Sequence, residues 1–330
     1  MVVLIARGIF IMGKNNIFEG RMDESKKKLV LEFLKEHPSS VAVIGYGSGV
    51  IEQQGSKKDD KKQLDLIIIV DDLKKWITEN INMNPEEFTK GTMHYFKNAS
   101  LKKLQKGAPI VYLSSIEYKD ELIKMGIISK KEFLSSCYDK TSSYVPFRLE
   151  KAIELIKCDD DIIKKAIIYD HKTTLITALL MLDENHLTMR DLMEKICSLS
   201  YMGDFRMKIH CEDPNKVKNI VDKQFDYFKE DYDKVNDGYF SYLENGKILV
   251  NYEKIKTDLI LLPYDIRRII DNYRYDILIG RPYIDEELQD YYKNAAKEEN
   301  LKQAIKGIST VGITKAASYA LRKIKKGRKK

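Results

Sequence analysis

Hydrophobic and polar positions follow two different patterns along the 330-residue chain. In the first half, short apolar runs predict strands at 41–44, 64–70 and 110–113. The run at 64–70 is rich in β-branched residues, which is typical of a strand buried on both faces. The stretch from 23 to 37 predicts a helix, which Pro38 ends. The first half is therefore predicted to combine helices with strands.

From about Arg148 onward, apolar residues recur every three or four positions, which is the period of a helix that faces a core. The helical segments predicted in this way are 153–156, 162–167 and 175–182. Thr188 is placed to cap a further helix that runs to Ile196. The dipeptide Asn245-Gly246 separates two apolar runs, and such a sequence favours a β-hairpin. The second half is predicted to be mainly helical with one hairpin.

Charge is distributed unevenly along the chain. The 57 basic and 50 acidic residues give a net charge of +7. The last thirty residues, 301–330, contain ten Lys or Arg and no Asp or Glu. The remaining 300 residues therefore carry −3, since the whole chain carries +7 and the tail +10. A slightly acidic body with a basic tail excludes a generally basic nucleic-acid binder.

Cysteine usage and hydropathy bear on the compartment. The four cysteines show no C-x-x-C spacing, so buried or inert thiols are predicted rather than a disulfide framework. No apolar run reaches the roughly 18–20 residues of a membrane span. The first twelve residues are apolar apart from Arg7 but lack a cleavage-site pattern. An intracellular protein without a removed signal is expected.

The chemically informative segment is a glycine-rich turn after the first predicted strand, Gly45-Tyr46-Gly47-Ser48-Gly49. Such a turn presents backbone N–H groups and the Ser48 hydroxyl to phosphate oxygens. Asp65 follows on a strongly apolar strand, where its carboxylate would hold Mg²⁺, a hard cation that bridges substrate phosphates. These residues favour nucleotidyl transfer, because a metal and a phosphate cradle neutralise charge on the attacked phosphate and on departing pyrophosphate.

The turn and the aspartate do not specify an enzyme by themselves, since glycine turns after strands are common. No Gly-Lys-Ser/Thr follows, so the segment is not a Walker loop. The third glycine of a dinucleotide fingerprint is also missing from its required position.

Further motifs follow the glycine turn in one order. They are the 64–72 strand, Trp76, Asn80, His94-Tyr95, Lys124-x-Gly126-Ile127-Ile128-Ser129, Arg148-Leu149-x-Lys151 and Ser200-Tyr201-Met202-Gly203-Asp204-Phe205-Arg206-Met207. In this order the motifs resemble the translocator assembly and maintenance family, the mitochondrial-type CDP-diacylglycerol synthases that are also found in bacteria. The resemblance runs from about Val41 to the basic tail.

The resemblance implies an α+β fold in three parts. Residues 1–157 would form a nucleotidyltransferase-fold mixed sheet with helices, and 158–280 a mainly helical, winged-helix-like domain. Residues 281–330 would form a basic, amphipathic segment that contacts the membrane. The implied reaction, part of phospholipid biosynthesis, joins CTP to phosphatidic acid with Mg²⁺ and gives CDP-diacylglycerol and pyrophosphate.

The resemblance also implies roles for individual residues. Ser48 and Asp65 would be catalytic, with Asp65 as the metal ligand. The nucleotide would be bound by Gly45, Tyr46, Gly47, Ser48, Gly49, Arg148, Lys151, Asp204 and Arg206. His94 and Tyr95 would contact the nucleotide or the lipid headgroup.

Structural explanations compete with several of these roles. Arg148 and Lys151 are three apart on a predicted helix, so they would point at one anionic group or form a basic surface face. Asp204 and Arg206 would belong to the nucleotide site or form a structural ion pair. A histidine beside an aromatic residue, as at 94–95, is often simply packed in the fold.

The chain departs from the usual nucleotidyltransferase pattern, because no second carboxylate lies two residues from Asp65. Asp71 is six residues along, roughly 20 Å in an extended strand, which is too far to share one ion. Asp71 and Asp72 are instead predicted to begin a helix. Glu117 or Asp204 would supply the second ligand, or the site would lack one.

In the tail, apolar residues from Leu301 to Tyr319 advance by threes and fours, and the lysines lie largely off that stripe. A basic amphipathic helix of this kind favours contact with an anionic membrane surface. A solvated tail and a nucleic-acid-binding arm are the alternatives. Because a two-chain lipid substrate lies in a bilayer, membrane contact is favoured and no nucleic-acid partner is expected.

The first hypothesis is therefore a peripheral-membrane phosphatidate cytidylyltransferase. It would act on the cytoplasmic face of a bacterial cell membrane, or on the matrix face of the inner membrane if the protein is mitochondrial. A nucleotidyltransferase that acts on RNA or protein is a second hypothesis. A non-catalytic nucleotide-binding protein that docks on membranes is a third.

Overall fold

The computed structural model describes residues 17–51, 63–85, 109–182, 186–202, 213–273 and 284–311. The strands of the first half are β1 (Ala42–Tyr46), β2 (Leu64–Val70), β3 (Val111–Tyr118), β4 (Glu121–Ser129) and β5 (Ile153–Cys158). They form one sheet in the order β3-β4-β2-β1-β5. β2 and β4 are parallel, and the other neighbouring pairs are antiparallel. The carboxyl end of β1 therefore lies at the same edge as the amino ends of β2, β4 and β5.

Two helices, α1 (Glu24–Lys35) and α2 (Leu73–Met83), cover one face of this sheet. Each begins at an aspartate whose carboxylate accepts backbone N–H groups of the first turn, Asp23 for α1 and Asp72 for α2. Trp76 of α2 is buried in this layer and donates its indole N–H to a backbone carbonyl 3.0 Å away. The caps confirm the two helix starts predicted from the sequence.

The opposite face carries α3 (Lys130–Asp139), α4 (Pro146–Leu149) and α5 (Asp161–Leu180). The hydrophobic cluster on this face is continuous between the two halves of the chain, with members from Ile17 to Ala296. The second half therefore packs directly onto the sheet of the first half. The domain limits at 157 and 280 stay predictions.

After α5 come β6 (His186–Thr188), α6 (Met189–Leu199), α7 (Lys216–Val235), β7 (Phe240–Tyr242) and β8 (Lys247–Val250). The three strands form a second sheet in the order β6-β8-β7. Thr188 and Asp191 form a reciprocal capping box at the start of α6. Gly246 has φ +76°, as the turn between β7 and β8 requires. The predicted cap and the predicted hairpin are both confirmed.

The chain continues with α8 (Tyr252–Asp258), α9 (Tyr264–Asp271) and α10 (Asp285–Val311), and α9 contacts α10. The end of α10 confirms helix for the first part of the tail, from Leu301 to Val311. The side chains beyond Lys302, on which the amphipathic prediction depends, lie outside the described residues. Within the ranges given above, none of the helices combines the length and the apolarity needed to cross a bilayer.

The sequence prediction was wrong for two strands. Residues 153–156 were predicted as helix but form β5, and β4 was not predicted. β5 is buried on both faces, so its apolar residues do not alternate and do not distinguish strand from helix. Even its acidic residue, Glu154, is fully buried, because its carboxylate accepts the backbone N–H groups of Gly20 (3.2 Å) and Arg21 (2.7 Å). The α+β class itself is confirmed.

Candidate functional site

The glycine-rich turn follows β1 directly. Gly47 has φ +76°, and its carbonyl accepts the N–H groups of Val50 (3.2 Å) and Ile51 (3.0 Å), which closes the turn. Ser48 is exposed at its tip. A Cβ at Gly49 would lie 2.1 Å from the Gln63 carbonyl oxygen, so only glycine lets the turn approach the start of β2 so closely.

Asp65 lies beside this turn on β2, directly opposite Tyr46 of β1. A Cβ at Gly47 would be 3.5 Å from the Asp65 Oδ2 atom, so the carboxylate faces the turn. The structure thus brings together the turn and the aspartate that the sequence singled out. Their catalytic roles stay predictions.

Lys124 completes this edge of the sheet. It is the partner of Asp65 in the parallel pairing of β2 with β4, and its Nζ lies 3.0 Å from Asp65 Oδ1. The two side chains are about one-quarter exposed, 26% for Lys124 and 25% for Asp65. The ammonium also lies 4.4 Å from the ring centre of Tyr112. Lys124 stands in the sequence motif Lys124-x-Gly126 but was not among the predicted site residues.

Three tyrosines, Tyr46, Tyr112 and Tyr144, lie beside Lys124 and Arg148. The hydroxyls of Tyr46 and Tyr112 are 3.3 Å apart, and the rings of Tyr112 and Tyr144 are 6.1 Å apart. Burial raises the pKa of Tyr46 and of Tyr112 to about 12 each, so both phenols are neutral at physiological pH. Neutral, partly buried phenols beside a cation strengthen its attraction to a bound anion, because they lower the local dielectric constant.

Arg148 lies against this tyrosine cluster. Its guanidinium carbon is 3.5 Å from the Tyr144 ring centre, and its Nη1 donates to the Tyr144 carbonyl oxygen. Among the described residues, the partners of the Arg148 guanidinium are tyrosines and a carbonyl rather than a carboxylate. A half-buried guanidinium that, within the described ranges, is compensated by tyrosines and a carbonyl is suited to bind an anion.

Lys151 is held by two hydrogen bonds. Its Nζ donates to the Phe147 carbonyl (2.5 Å) and to the Ser200 hydroxyl (2.7 Å). The helix α4 ends at Leu149, so Lys151 does not stand on it with Arg148 as the sequence predicted, and the binding of one anionic group by both residues stays a prediction. The loop after α4 sets the direction of Lys151 instead.

The remaining sequence-derived site residues cannot be placed. His94, Tyr95, Asp204 and Arg206 all lie outside the described residues, and their roles stay predictions.

The oxygen donors at the site fit a hard cation held mainly by substrate. Among the described residues, no three His, Cys, Asp or Glu side chains cluster as a metal site. Asp65 presents one carboxylate to the glycine turn, and Mg²⁺ commonly takes one or two carboxylates plus substrate phosphates. Glu117 is on β3. Because β4 lies between β3 and β2, Glu117 is two strand spacings of about 5 Å each away from the strand of Asp65. That Glu117 or Asp204 supplies a second ligand stays a prediction.

Glu150 is a buried acid that lies between Arg148 and Lys151 in the sequence. It is 1% exposed, and no described residue donates to its Oε2. Burial raises the pKa of the Glu150 carboxyl to about 8, with a smaller opposing effect from Lys151. Burial lowers the pKa of Lys151. The Glu150 side chain is therefore neutral near pH 7.

This burial predicts a pH dependence of stability. The folded pKa of about 8 lies above the ordinary 4.5, so the contribution of the protonated Glu150 to stability is fully present below pH 4.5 and is lost as pH rises from there through 8. We expect Glu150→Gln to reduce the fall in unfolding free energy between pH 5.5 and pH 8 by ~1 kcal/mol or more. Urea unfolding at the two pH values measures this. Glu253→Gln, at a 75% exposed carboxylate, is the matched control, and equal slopes in all three proteins would contradict the assignment.

The amino-acid sequence matches a known protein family over most of its length. Residues 28–257 match a family described as "Phosphatidate cytidylyltransferase, mitochondrial". The chain is 28% identical to the protein of that name from Schizosaccharomyces pombe, over 94% of this chain and 85% of that protein. It is also 28% identical to the Danio rerio protein of the same name, over 86% of this chain and 89% of its relative.

Proposed function

The chain belongs to the mitochondrial phosphatidate cytidylyltransferase family, and from this premise we propose how it makes CDP-diacylglycerol and pyrophosphate from CTP and phosphatidic acid. One observation carries the proposal. The glycine turn, Asp65 and Lys124 meet at a single edge of the sheet, with Arg148 nearby and without a described carboxylate partner. Cations and backbone N–H groups at one place suit a triphosphate.

The proposed reaction is a displacement at the α-phosphorus of CTP. A phosphate oxygen of phosphatidic acid forms the new bond, and the bond from the α-phosphorus to the bridging oxygen of pyrophosphate breaks, with its electron pair leaving on pyrophosphate. No strong general base is needed, because the second pKa of a phosphate monoester is about 6. Positioning of the two substrates and neutralisation of charge in the transition state would account for most of the rate acceleration.

Different described residues would bind the phosphates and neutralise their charge. Backbone N–H groups of the turn and the Ser48 hydroxyl would hold phosphate oxygens. Lys124 and Arg148 would neutralise charge that builds up on the departing pyrophosphate and on the attacked phosphate. The neutral phenols of Tyr46 and Tyr112 would keep the pocket dry around these charges.

We also propose Mg²⁺ as the cofactor, held by Asp65 together with the substrate phosphates. When bound, it would supply positive charge to bridging phosphate oxygens and so favour departure of pyrophosphate. The carboxylate facing the turn supports this proposal. Asp65 would then exchange Lys124 for the metal, which frees the ammonium for phosphate.

The topology supports the expected domain types. A mixed sheet with a glycine turn and an acidic strand is consistent with a nucleotidyltransferase fold. The chain order α5-β6-α6-α7-β7-β8, with β8 between β6 and β7, is consistent with a winged-helix-like unit. We propose both assignments on this basis.

The assay that tests the proposed function measures pyrophosphate release from CTP on vesicles that contain phosphatidic acid. We expect release that requires CTP, phosphatidic acid and Mg²⁺ together, and labelled cytidylate in the lipid phase. Release with RNA or protein as the acceptor, and none with phosphatidic acid, would favour the second hypothesis. CTP binding without release would favour the non-catalytic one.

The site of action is proposed to be a membrane surface. The named relatives are mitochondrial, and they give no support to the expected bacterial location. We propose peripheral contact through the basic segment at 281–330, because the lipid substrate lies in a bilayer and the last thirty residues carry +10.

Removal of residues 301–330 tests this contact. Each basic residue near an anionic surface contributes about 1 kcal/mol, so we expect vesicle binding to weaken by about 100-fold or more, and high salt to weaken wild-type binding as well. Co-sedimentation with vesicles rich in phosphatidylglycerol measures both effects. Equal binding of the truncated and full-length proteins would show that another surface makes the contact.

A further inference from the structure

The long helix α10 packs against the same segment that carries Arg148. Tyr292 of α10 is 5% exposed, and its ring lies 6.2 Å from that of Phe147. Tyr291 and Tyr292 line a small pocket together with Pro146, Phe147 and Glu150. The loop and short helix at 142–151 are therefore held between the candidate nucleotide site and α10.

A chain of three contacts joins α10 to Arg148. The Ser142 hydroxyl donates to Glu299 Oε2 at 2.8 Å, and both residues are buried, 7% and 5% exposed. The same Ser142 oxygen accepts the backbone N–H of Tyr144 at 3.2 Å. The Tyr144 ring then lies 3.5 Å from the Arg148 guanidinium carbon, and its carbonyl accepts from Arg148.

Ser142 is the central member of this chain because one oxygen serves two partners. A hydroxyl that donates to a carboxylate is polarised and becomes a better acceptor for a second donor. Glu299 therefore orients the hydroxyl, and the hydroxyl fixes the backbone of Tyr144, the residue on which the Arg148 guanidinium is stacked.

We propose that Ser142 and Glu299 are positioning residues for the nucleotide site, which act on CTP through Tyr144 and Arg148. The proposal rests on the proposed function, in which Arg148 binds a CTP phosphate. Its consequence is that the helix leading into the basic tail also determines how firmly the nucleotide is held. No catalytic contact with substrate is assigned to Ser142 or Glu299.

Glu298 provides a matched control next to Glu299. Both carboxylates lie near Lys302, at 2.7 Å for Glu298 and 3.6 Å for Glu299. Their burial differs, because the side chain of Glu298 is 65% exposed and that of Glu299 only 7%. An effect specific to Glu299 therefore cannot come from losing the ion pair with Lys302.

The test is calorimetric titration of the full-length protein with CTP and Mg²⁺, without lipid. We expect Ser142→Ala and Glu299→Ala each to weaken CTP binding about fivefold, the loss that corresponds to one ordinary hydrogen bond. The double variant should be no weaker than either single one, because both changes break the same link. Ser142→Thr and Glu299→Gln, which keep a hydroxyl and an acceptor oxygen, should restore most of the affinity. Glu298→Ala should bind CTP like the wild type.

Steady-state assays separate positioning from general damage to the fold. We expect the KM for CTP to rise in the two alanine variants while the KM for phosphatidic acid stays the same. If an alanine variant does not fold, Ser142→Cys replaces it, because a thiol is a weaker donor of similar size and should also weaken CTP binding.

Folded Ser142 and Glu299 variants with wild-type CTP affinity would overturn the proposal, and so would an equal loss in Glu298→Ala. Absence of CTP binding by the wild-type protein is a different result, since it would overturn the proposed function itself.

Discussion

Asp65→Asn should reduce pyrophosphate release from CTP and phosphatidic acid by roughly 10²–10³-fold, as expected when one group that stabilises the transition state is lost. Asparagine keeps the shape of the side chain but removes the charged oxygen that faces the glycine turn. It also removes the ionic partner of Lys124, which lies 3.0 Å away. Initial rates on vesicles containing phosphatidic acid measure the loss.

The fold should survive this change. The Asp65–Lys124 pair is about one-quarter exposed, and partly exposed ion pairs contribute only about 0–1 kcal/mol to stability. Asp71→Asn is the matched control, because Asp71 is exposed and follows the opposite end of the same strand. An Asp65→Asn enzyme with more than about a third of wild-type activity would contradict the role assigned to Asp65.

Lys124→Met should lower kcat by about 100-fold. Methionine is similar in length and packs well against Tyr112, so the change removes a charge with little loss of contact. In the proposed reaction the ammonium neutralises charge that is larger in the transition state than in bound CTP, so kcat should fall more than the KM for CTP rises. Full kinetic curves with CTP as the varied substrate separate these constants.

Lys119→Met controls for the loss of one lysine from the same β3–β4 hairpin. Lys119 lies in the turn between β3 and β4, is 58% exposed and pairs with Glu32 of α1 rather than with Asp65, so this variant should behave like the wild type. If Lys124→Met raised only the KM for CTP, Lys124 would bind the ground state of the nucleotide and would not contribute to the chemical step.

Much of the local structure was predictable, because it depends on residues close together in the sequence. The helix starts at Asp23, Asp72 and Thr188 are each set by a side chain that bonds to the first turn of its own helix. β2 was predicted to the residue, since its apolar run is bounded by polar segments. The left-handed φ of Gly47 and the close approach at Gly49 explain why that turn is rich in glycine.

The prediction was weaker where burial on two faces removed the periodic signal. β5 was predicted as a helix. Glu154 within it is buried by residues far away in the sequence, since Arg21 donates its backbone N–H to that carboxylate, and the local pattern does not show such burial. The short helix α4 ends before Lys151, so a spacing of three residues did not place Arg148 and Lys151 on one helix. A four-residue helix is fixed by what packs around it, and the sequence pattern carries little of that information.

The sequence by itself determined the composition of the site: a glycine turn, a strand aspartate and a nearby supply of cations. Only the tertiary structure decided which cation meets the aspartate and what holds the others. Lys124 meets Asp65 across 59 positions of sequence, and Ser142 meets Glu299 across 157. Such pairs depend on strand register and helix packing, which bury apolar residues throughout the chain at once, so no local pattern specifies them.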